Sequence, residues 1–206
     1  MVESAGWIVK LSDIVQTVVS YLHRSDVTDA VKQAVPLVEA RIAATLRARA
    51  NEKIVTRPIS EGWFLPPDFA QMRSVNDASN GMPFEYLVPD QFYLAQAQGG
   101  SSAGASRFYT VVAQELQFWP VRPYVFVLDY FSAPYPPLVS DGDTNTVSVM
   151  APQLYIYGLL AESFFWTQDS DLSEYARAQF DQAIAAENAK ANGDAISGAP
   201  VMRRVR

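Results

Sequence analysis

Cysteine is absent from the 206 residues, and histidine occurs once, at His23. The first absence excludes disulfides and thiolate zinc sites, and it leaves no redox compartment to infer. The second leaves one residue around which any Ser-His-Asp relay or histidine metal site would have to be built. Leu22-His-Arg-Ser-Asp26 places it at a predicted helix end, where a capping or surface role is expected. Long apolar runs are also missing. None approaches the roughly 20 residues that span a bilayer, and the amino terminus, with Glu3 and no cationic stretch, lacks the pattern of a signal peptide. The expectation is a soluble chain made in a cytoplasm, with no membrane partner.

Cations are scarce in one region. Residues 129–194 hold only Arg177 and Lys190 against ten Asp/Glu, whereas residues 1–57 hold eight Lys/Arg against six acids. The net charge of −6 is therefore unevenly divided, and one copy of the chain has a positive region to offer to a neighbour's negative one. Ordinary solubilising charge is the competing reading.

What is present is apolar and aromatic: 49% hydrophobic and 12% Phe, Trp and Tyr, enough for one substantial core or two small ones. Ile14, Val15, Val18, Val19 and Leu22 follow Ser12 at helical spacing, which predicts an amphipathic helix over 12–23 capped by Ser12. Asp26 or Thr28 restarts the pattern. Val31, Val35, Val38, Ile42 and Leu46 carry it through Arg49, with Pro36 either bending the helix or opening a new one. Arg41, Arg47 and Arg49 lie toward its carboxy end, where cations complement the dipole. Beyond Ala151-Pro152, Leu154, Tyr157, Leu160, Ala161, Phe164 and Phe165 predict the next buried face. Asp171-Leu-Ser-Glu174 reads as a capping box for a last helix with Leu172, Ala176, Phe180, Ala183 and Ile184 inward, fraying before Gly193.

Between these helical segments the period changes. Ile54–Arg57, Gly62–Leu65, Met72–Val75 and Phe84–Leu87 are short strand candidates, Asn80-Gly81 is a turn signal, and 88–97 is a short helix. Arg107–Ala113, Leu116–Pro120 and Tyr124–Phe131 are β-branched and aromatic runs with minimal breaks, read as a meander of paired strands. The fold class is α+β: an antiparallel helical bundle from both chain ends, an inserted β-meander module and an extended C-terminal tail. The expected divisions are 1–50, 51–138 with an exposed loop at 98–106, 139–194, and a tail at 195–206.

Catalytic chemistry is hard to find. Asp141-Gly-Asp143-Thr-Asn145 imitates the start of a calcium loop, but Thr146 stands where glycine is required and Pro152 where the bidentate glutamate belongs, so turn chemistry is expected. Gly99, Gly100 and Gly104 lack phosphate-loop spacing. Carboxylate pairs such as Asp68 with Asp90 have the composition of a glycosidase pair and no specific spacing. Arg107-Phe108-Tyr109 superficially resembles a base-stacking platform, yet the acidity of the chain favours strand core. No catalytic residue, cofactor site or metal site is assigned.

The order of several segments carries a resemblance: Tyr21–Val27, Val35–Ile42 with Leu46-Arg47, Phe64–Ser74, Phe108 through Leu138, and Leu154–Glu162. In this order the chain resembles the head-to-tail adaptor, or connector, proteins of short-tailed bacteriophages. It departs from them in having Ala113-Gln114 where a glycine-containing turn is usual, and in its Gly/Ser loop at 98–106.

The resemblance implies a structural, non-enzymatic virion protein of the head-tail neck, forming a ring of about twelve copies between the portal and the tail nozzle or tail tube. Genomic DNA would pass through an acidic lumen without sequence-specific binding. Ring contacts would draw on Arg41, Arg47 and Arg49 against Asp169, Asp171 and Asp181. Gly99, Gly100, Ser101 and Ser102 are tail-docking candidates. The tail, with Val201, Met202 and Val205 for shallow apolar sites and Arg203, Arg204 and Arg206 for carboxylates, is the portal-binding candidate. The alternatives are a monomeric binding module of a virion or tail-assembly system and a small hydrolase.

Overall fold

The computed structural model of the chain describes residues 9–48, 51–59, 63–98, 107–121 and 125–196, with 192–196 by backbone alone. In chain order the elements are α1 (Leu11–Leu22), α2 (Thr28–Thr45), β1 (Glu52–Pro58), β2 (Trp63–Phe64), β3 (Phe69–Asp77), β4 (Glu85–Tyr86) and α3 (Pro89–Ala97). Then follow β5 (Phe108–Val112), β6 (Glu115–Trp119), β7 (Val125–Ser132), α4 (Thr146–Met150), α5 (Pro152–Trp166) and α6 (Ser170–Ile196). The class is mixed α+β. Two units divide the chain: Met1–Asn51 with Ala133–Arg206, and Glu52–Ser132.

In the first unit, α1 buries Leu11, Ile14, Val15 and Val18 at helical spacing. It begins one residue before the expected Ser12 cap. The Leu11 and Ser12 amides donate to the Asp143 and Asp141 carbonyls, each at 3.0 Å, so the 141–143 turn satisfies the first helical N–H groups. Asp143 in turn accepts the Val139 and Ser140 amides at 2.9 and 2.6 Å, the turn chemistry expected of this segment. His23 closes α1 as a C-cap with φ 51°. Pro36 lies inside α2, which continues as one helix; its ring faces solvent, so the missing bond to the Lys32 carbonyl falls on the wet side.

The core joins Leu11, Ile14 and Val18 of α1 to Val35, Val38 and Ile42 of α2, Leu154, Tyr155 and Leu159 of α5, and Ala176, Phe180 and Ile184 of α6. Gly158 permits the closest approach within it. A Cβ there would stand 2.6 Å from Val38 Cγ1 and 3.3 Å from a ring atom of Phe180.

Several expectations about α5 and α6 are corrected. Phe165 and Leu172 were placed in the core by periodicity; Phe165 is 61% and Leu172 44% exposed. Phe164-Phe165-Trp166 is a consecutive aromatic run, and a helix turns successive side chains about 100° apart, so one apolar stripe cannot take all three. Glu162 and Ser163 are buried instead. Asp169, not Asp171, opens α6: its Oδ1 accepts the Leu172 amide at 3.2 Å and its carbonyl the Ser173 amide at 3.0 Å. The helix also runs past Gly193 to Ile196.

Residues 133–138, expected to close the β module, belong with the helices. Leu138 is buried in the helical core and its amide donates to Glu39 Oε1 at 3.0 Å. The Tyr155 hydroxyl donates to the same oxygen at 3.0 Å and accepts from Asn145 Nδ2 at 2.7 Å. Asn145 Oδ1 caps α4 through the Ser148 amide at 2.8 Å. This network fixes the returning chain against α2 and α5.

In the second unit, one sheet has the order β1-β7-β3 and the other β2-β6-β5-β4. They share a core in which Phe118 packs on Phe126 with ring centroids 4.9 Å apart, Trp63 lies edge-on to Phe126 at 5.4 Å, and Phe84 lies edge-on to Phe118 at 5.2 Å. The expected three-strand meander is therefore only half present. β5 and β6 pair through a two-residue turn, but β7 pairs with β1 and β3. Buried residues alternate along both β6 and β7, and these faces meet across the core instead of lying side by side. Pro120 and Pro123 in the intervening link lack the N–H groups of a hairpin ladder. The β5–β6 turn holds Ala113 and Gln114 at φ 50° and 63°.

Candidate functional site

Several carboxylates of the β unit are engaged by neighbouring side chains. Asp68 accepts from the Tyr130 hydroxyl at 3.1 Å and from Lys53 at 2.5 Å, and burial of Tyr130 beside it pushes that phenol up to about 12. Asp77 is held below the usual carboxylate range by Ser79 and Arg107. Among the described residues no group of three or more His, Cys, Asp or Glu is placed to hold a metal ion. Tyr109 is nearly buried and Arg107 pairs with Asp77, which is strand core and not a base-stacking platform.

The surface of the helical unit is more informative. A groove of about 330 Å³ runs over α5 between α2 and α6, lined by Arg41, Ala44, Ala161, Arg177, Phe180 and Asp181. Arg41 forms a 2.6 Å ion pair with Glu162, whose side chain is almost buried. Arg177 places its guanidinium 5.8 Å from the centroid of the exposed Phe165 ring. Arg41 and Asp181, expected on opposing faces of a ring contact, thus sit in one groove with Arg177 as a second cation.

The remaining candidates are dispersed. Arg47 turns back on its own helix, donating to the Ala43, Ala44 and Leu46 carbonyls at 3.1, 2.7 and 2.7 Å, which neutralises the carboxy end of α2. Its amide donates to Asn188 Oδ1 at 2.6 Å while Asn188 Nδ2 donates to the Thr45 carbonyl at 3.1 Å, so one asparagine of α6 secures the end of α2. Asp169 caps α6, and Asp171 is exposed beside it. Arg49, the loop residues Gly99, Gly100, Ser101 and Ser102, and the tail residues Val201 to Arg206 lie outside the described residues.

A second groove, of about 560 Å³, opens where the end of α1, the start of α2, the end of α5 and the start of α6 converge. Leu22, Val27 and Phe164 line it from within, and the exposed Tyr21, Trp166 and Leu172 form its rim. Sequence periodicity missed this surface because it assigned aromatic and leucine residues inward. The available signal was the run Phe164-Phe165-Trp166, too dense for one buried stripe.

Against known families, the chain matches the sequence model of the SU10 adaptor protein over residues 9–204. It belongs to the SU10 adaptor protein family. The match takes in both units, and it agrees with the head-to-tail adaptor resemblance drawn from the order of its segments. Among curated proteins no match is found. An SU10 adaptor has a structural role in a bacteriophage particle, in contact with other virion proteins such as portal or tail, and the family is not an enzyme family. No described helix of this adaptor is long and apolar enough to cross a membrane.

Proposed function

We propose that this SU10 adaptor builds a ring between the portal and the tail, with the helices of the two chain ends forming the subunit contacts and the assembled hole serving as the DNA exit channel. The observation that carries the reading is the family match along 9–204, which includes both the helical unit and the inserted β unit. The groove holding Arg41, Arg177 and Asp181 supports it, since exposed charge of both signs beside the exposed Phe165 ring suits a heterologous contact between copies. Asp169 and Asp171 add acidic surface at the start of α6, and Arg47 lies just past the end of α2. DNA passes the acidic channel without sequence-specific contact, because a net charge of −6 per copy offers no cationic grip on phosphate.

In the same proposal, residues 195–206 engage the portal, with Val201, Met202 and Val205 in apolar sites and Arg203, Arg204 and Arg206 on carboxylates. The β unit or the segment Gly99–Ser102 meets the tail nozzle. The test is co-sedimentation with purified portal of the full chain and of a chain ending at Asp194. Attachment by the full chain and its loss on truncation, with unchanged circular dichroism, support the reading. Full attachment by the truncated chain overturns the tail's role.

A further inference from the structure

We propose that Asn80 is a deamidation site, held closed in the folded β unit by the turn Asp77–Met82 and its clasp on Arg107. Asn80 belongs to the β unit, and its chemistry needs no ring. The chain has two Asn-Gly pairs. Asn192-Gly193 lies within α6, whereas Asn80-Gly81 is exposed in the turn between β3 and β4. Glycine after asparagine has no Cβ to hinder its nitrogen from attacking the neighbouring side-chain amide.

The reaction starts when hydroxide removes the Gly81 amide proton. The nitrogen attacks Asn80 Cγ, the Cγ–Nδ2 bond breaks, and the side-chain nitrogen takes a proton from water and leaves as ammonia. Water then opens the succinimide at one of its two carbonyls, giving aspartate or isoaspartate. Water is the only co-reactant, and nothing is oxidised or reduced.

In the fold both reacting groups are engaged. The Gly81 amide donates to the Asp77 carbonyl at 2.8 Å, so its proton is held. Asn80 Oδ1 accepts the Met82 amide at 3.0 Å and lies 3.5 Å from Arg107 Nη1, which fixes the side-chain amide. Asp77 is fixed in turn. Its carboxylate is completely buried, Oδ1 accepts the Ser79 amide and hydroxyl at 2.8 and 2.7 Å, and Oδ2 pairs with Arg107. The Asp77 amide donates to the Met82 carbonyl at 2.8 Å and closes the turn.

Deamidation therefore waits on opening of this turn, and its rate is that of the open chain multiplied by the fraction open. Aspartate at position 80 places a second carboxylate beside Arg107. Isoaspartate lengthens the main chain of the turn by one atom.

The test follows deamidation of the full chain in mildly alkaline buffer by tryptic mass mapping, beside a synthetic peptide of residues 74–88. Asn80 in the full chain is expected to react at least about tenfold more slowly than in the peptide. The Gly81 amide, followed by nuclear magnetic resonance, is expected to exchange its hydrogen for deuterium more slowly as well, because one opening releases both. Ser79→Ala removes one donor to Asp77 and is expected to raise the deamidation rate about two- to tenfold. Arg107→Gln is expected to raise it further; Ser79→Ala, which keeps the ion pair, serves as the test should Arg107→Gln unfold. Equal rates in chain and peptide, an unprotected Gly81 amide, a rate that Ser79→Ala leaves unchanged, or no product at Asn80 in the peptide overturns the proposal.

Discussion

Gly158 of α5 faces Val38 of α2 so closely that a single added carbon would stand 2.6 Å from Val38 Cγ1 and 3.2 Å from Cγ2. Val38 is fully buried and branched at Cβ, so it has no free rotamer with which to retreat. Gly158→Ala is expected to destabilise the chain by about 1–3 kcal/mol through overpacking, against a helix-propensity gain of about 1 kcal/mol. Val38→Ala in the same chain removes the obstructing methyls. The double variant is expected to recover part of the loss, which a urea-denaturation cycle measures; strict additivity would contradict the contact.

The turn at Ala113-Gln114 holds two non-glycine residues in the left-handed region, φ 50° and 63°. Each conformation costs free energy that Asn or Gly avoids. Ala113→Asn with Gln114→Gly is expected to stabilise the chain by about 1–2 kcal/mol, seen as a raised thermal midpoint. No change or a fall would mean that the turn is not strained as described.

Glu39 gathers the Leu138 amide and the Tyr155 hydroxyl on one oxygen, and burial raises its carboxyl above the ordinary value. A raised carboxyl binds its proton more readily in the folded chain than in the unfolded one. Its contribution to stability is therefore complete below the unfolded value of 4.5 and declines as pH rises through the folded one. Glu39→Gln keeps an acceptor and removes the charge, so the expected result is a flatter dependence of stability on pH across that window. Glu39→Ala strands the donors and is expected to cost about 1–3 kcal/mol, measured by denaturant unfolding at pH 7.

Much of this architecture was legible in the residues because period and punctuation agreed. The stripe Ile14-Val15-Val18 gave α1, Pro89 opened α3, and Asn80-Gly81 gave a turn in which Gly81 takes φ 68°. What escaped depended on long-range partners. The Ser12 cap gave way to carbonyls of residues 141 and 143, far along the chain. β7 left its sequence neighbour β6 for β1 and β3, a choice that local periodicity cannot encode. Among the charges, Arg41 lies near the end of α2 and Arg47 two residues past it, yet one pairs with the almost buried Glu162 and the other donates to the last carbonyls of the helix. Their sequence signature is the same; the neighbouring α5 makes the difference.

Arg41 and Glu162 supply a further test. The carboxylate is almost buried while the guanidinium is 44% exposed, so removing the cation leaves a charge that solvent reaches poorly. Arg41→Ala is expected to destabilise the chain more than Glu162→Gln, and the double variant to fall between them. The order is read from chemical denaturation of the three proteins; equal effects of the two single changes would contradict the asymmetry.

The central claim is assembly through surfaces of the helical unit, and particle mass addresses it most directly. Mass photometry of the purified chain with purified portal, followed by electron microscopy of the complex, is expected to show a closed ring of adaptor copies on the portal. Arg177→Glu in the α2/α6 groove is expected to reduce the closed fraction. A solitary adaptor that leaves the portal's mass unchanged would contradict the account.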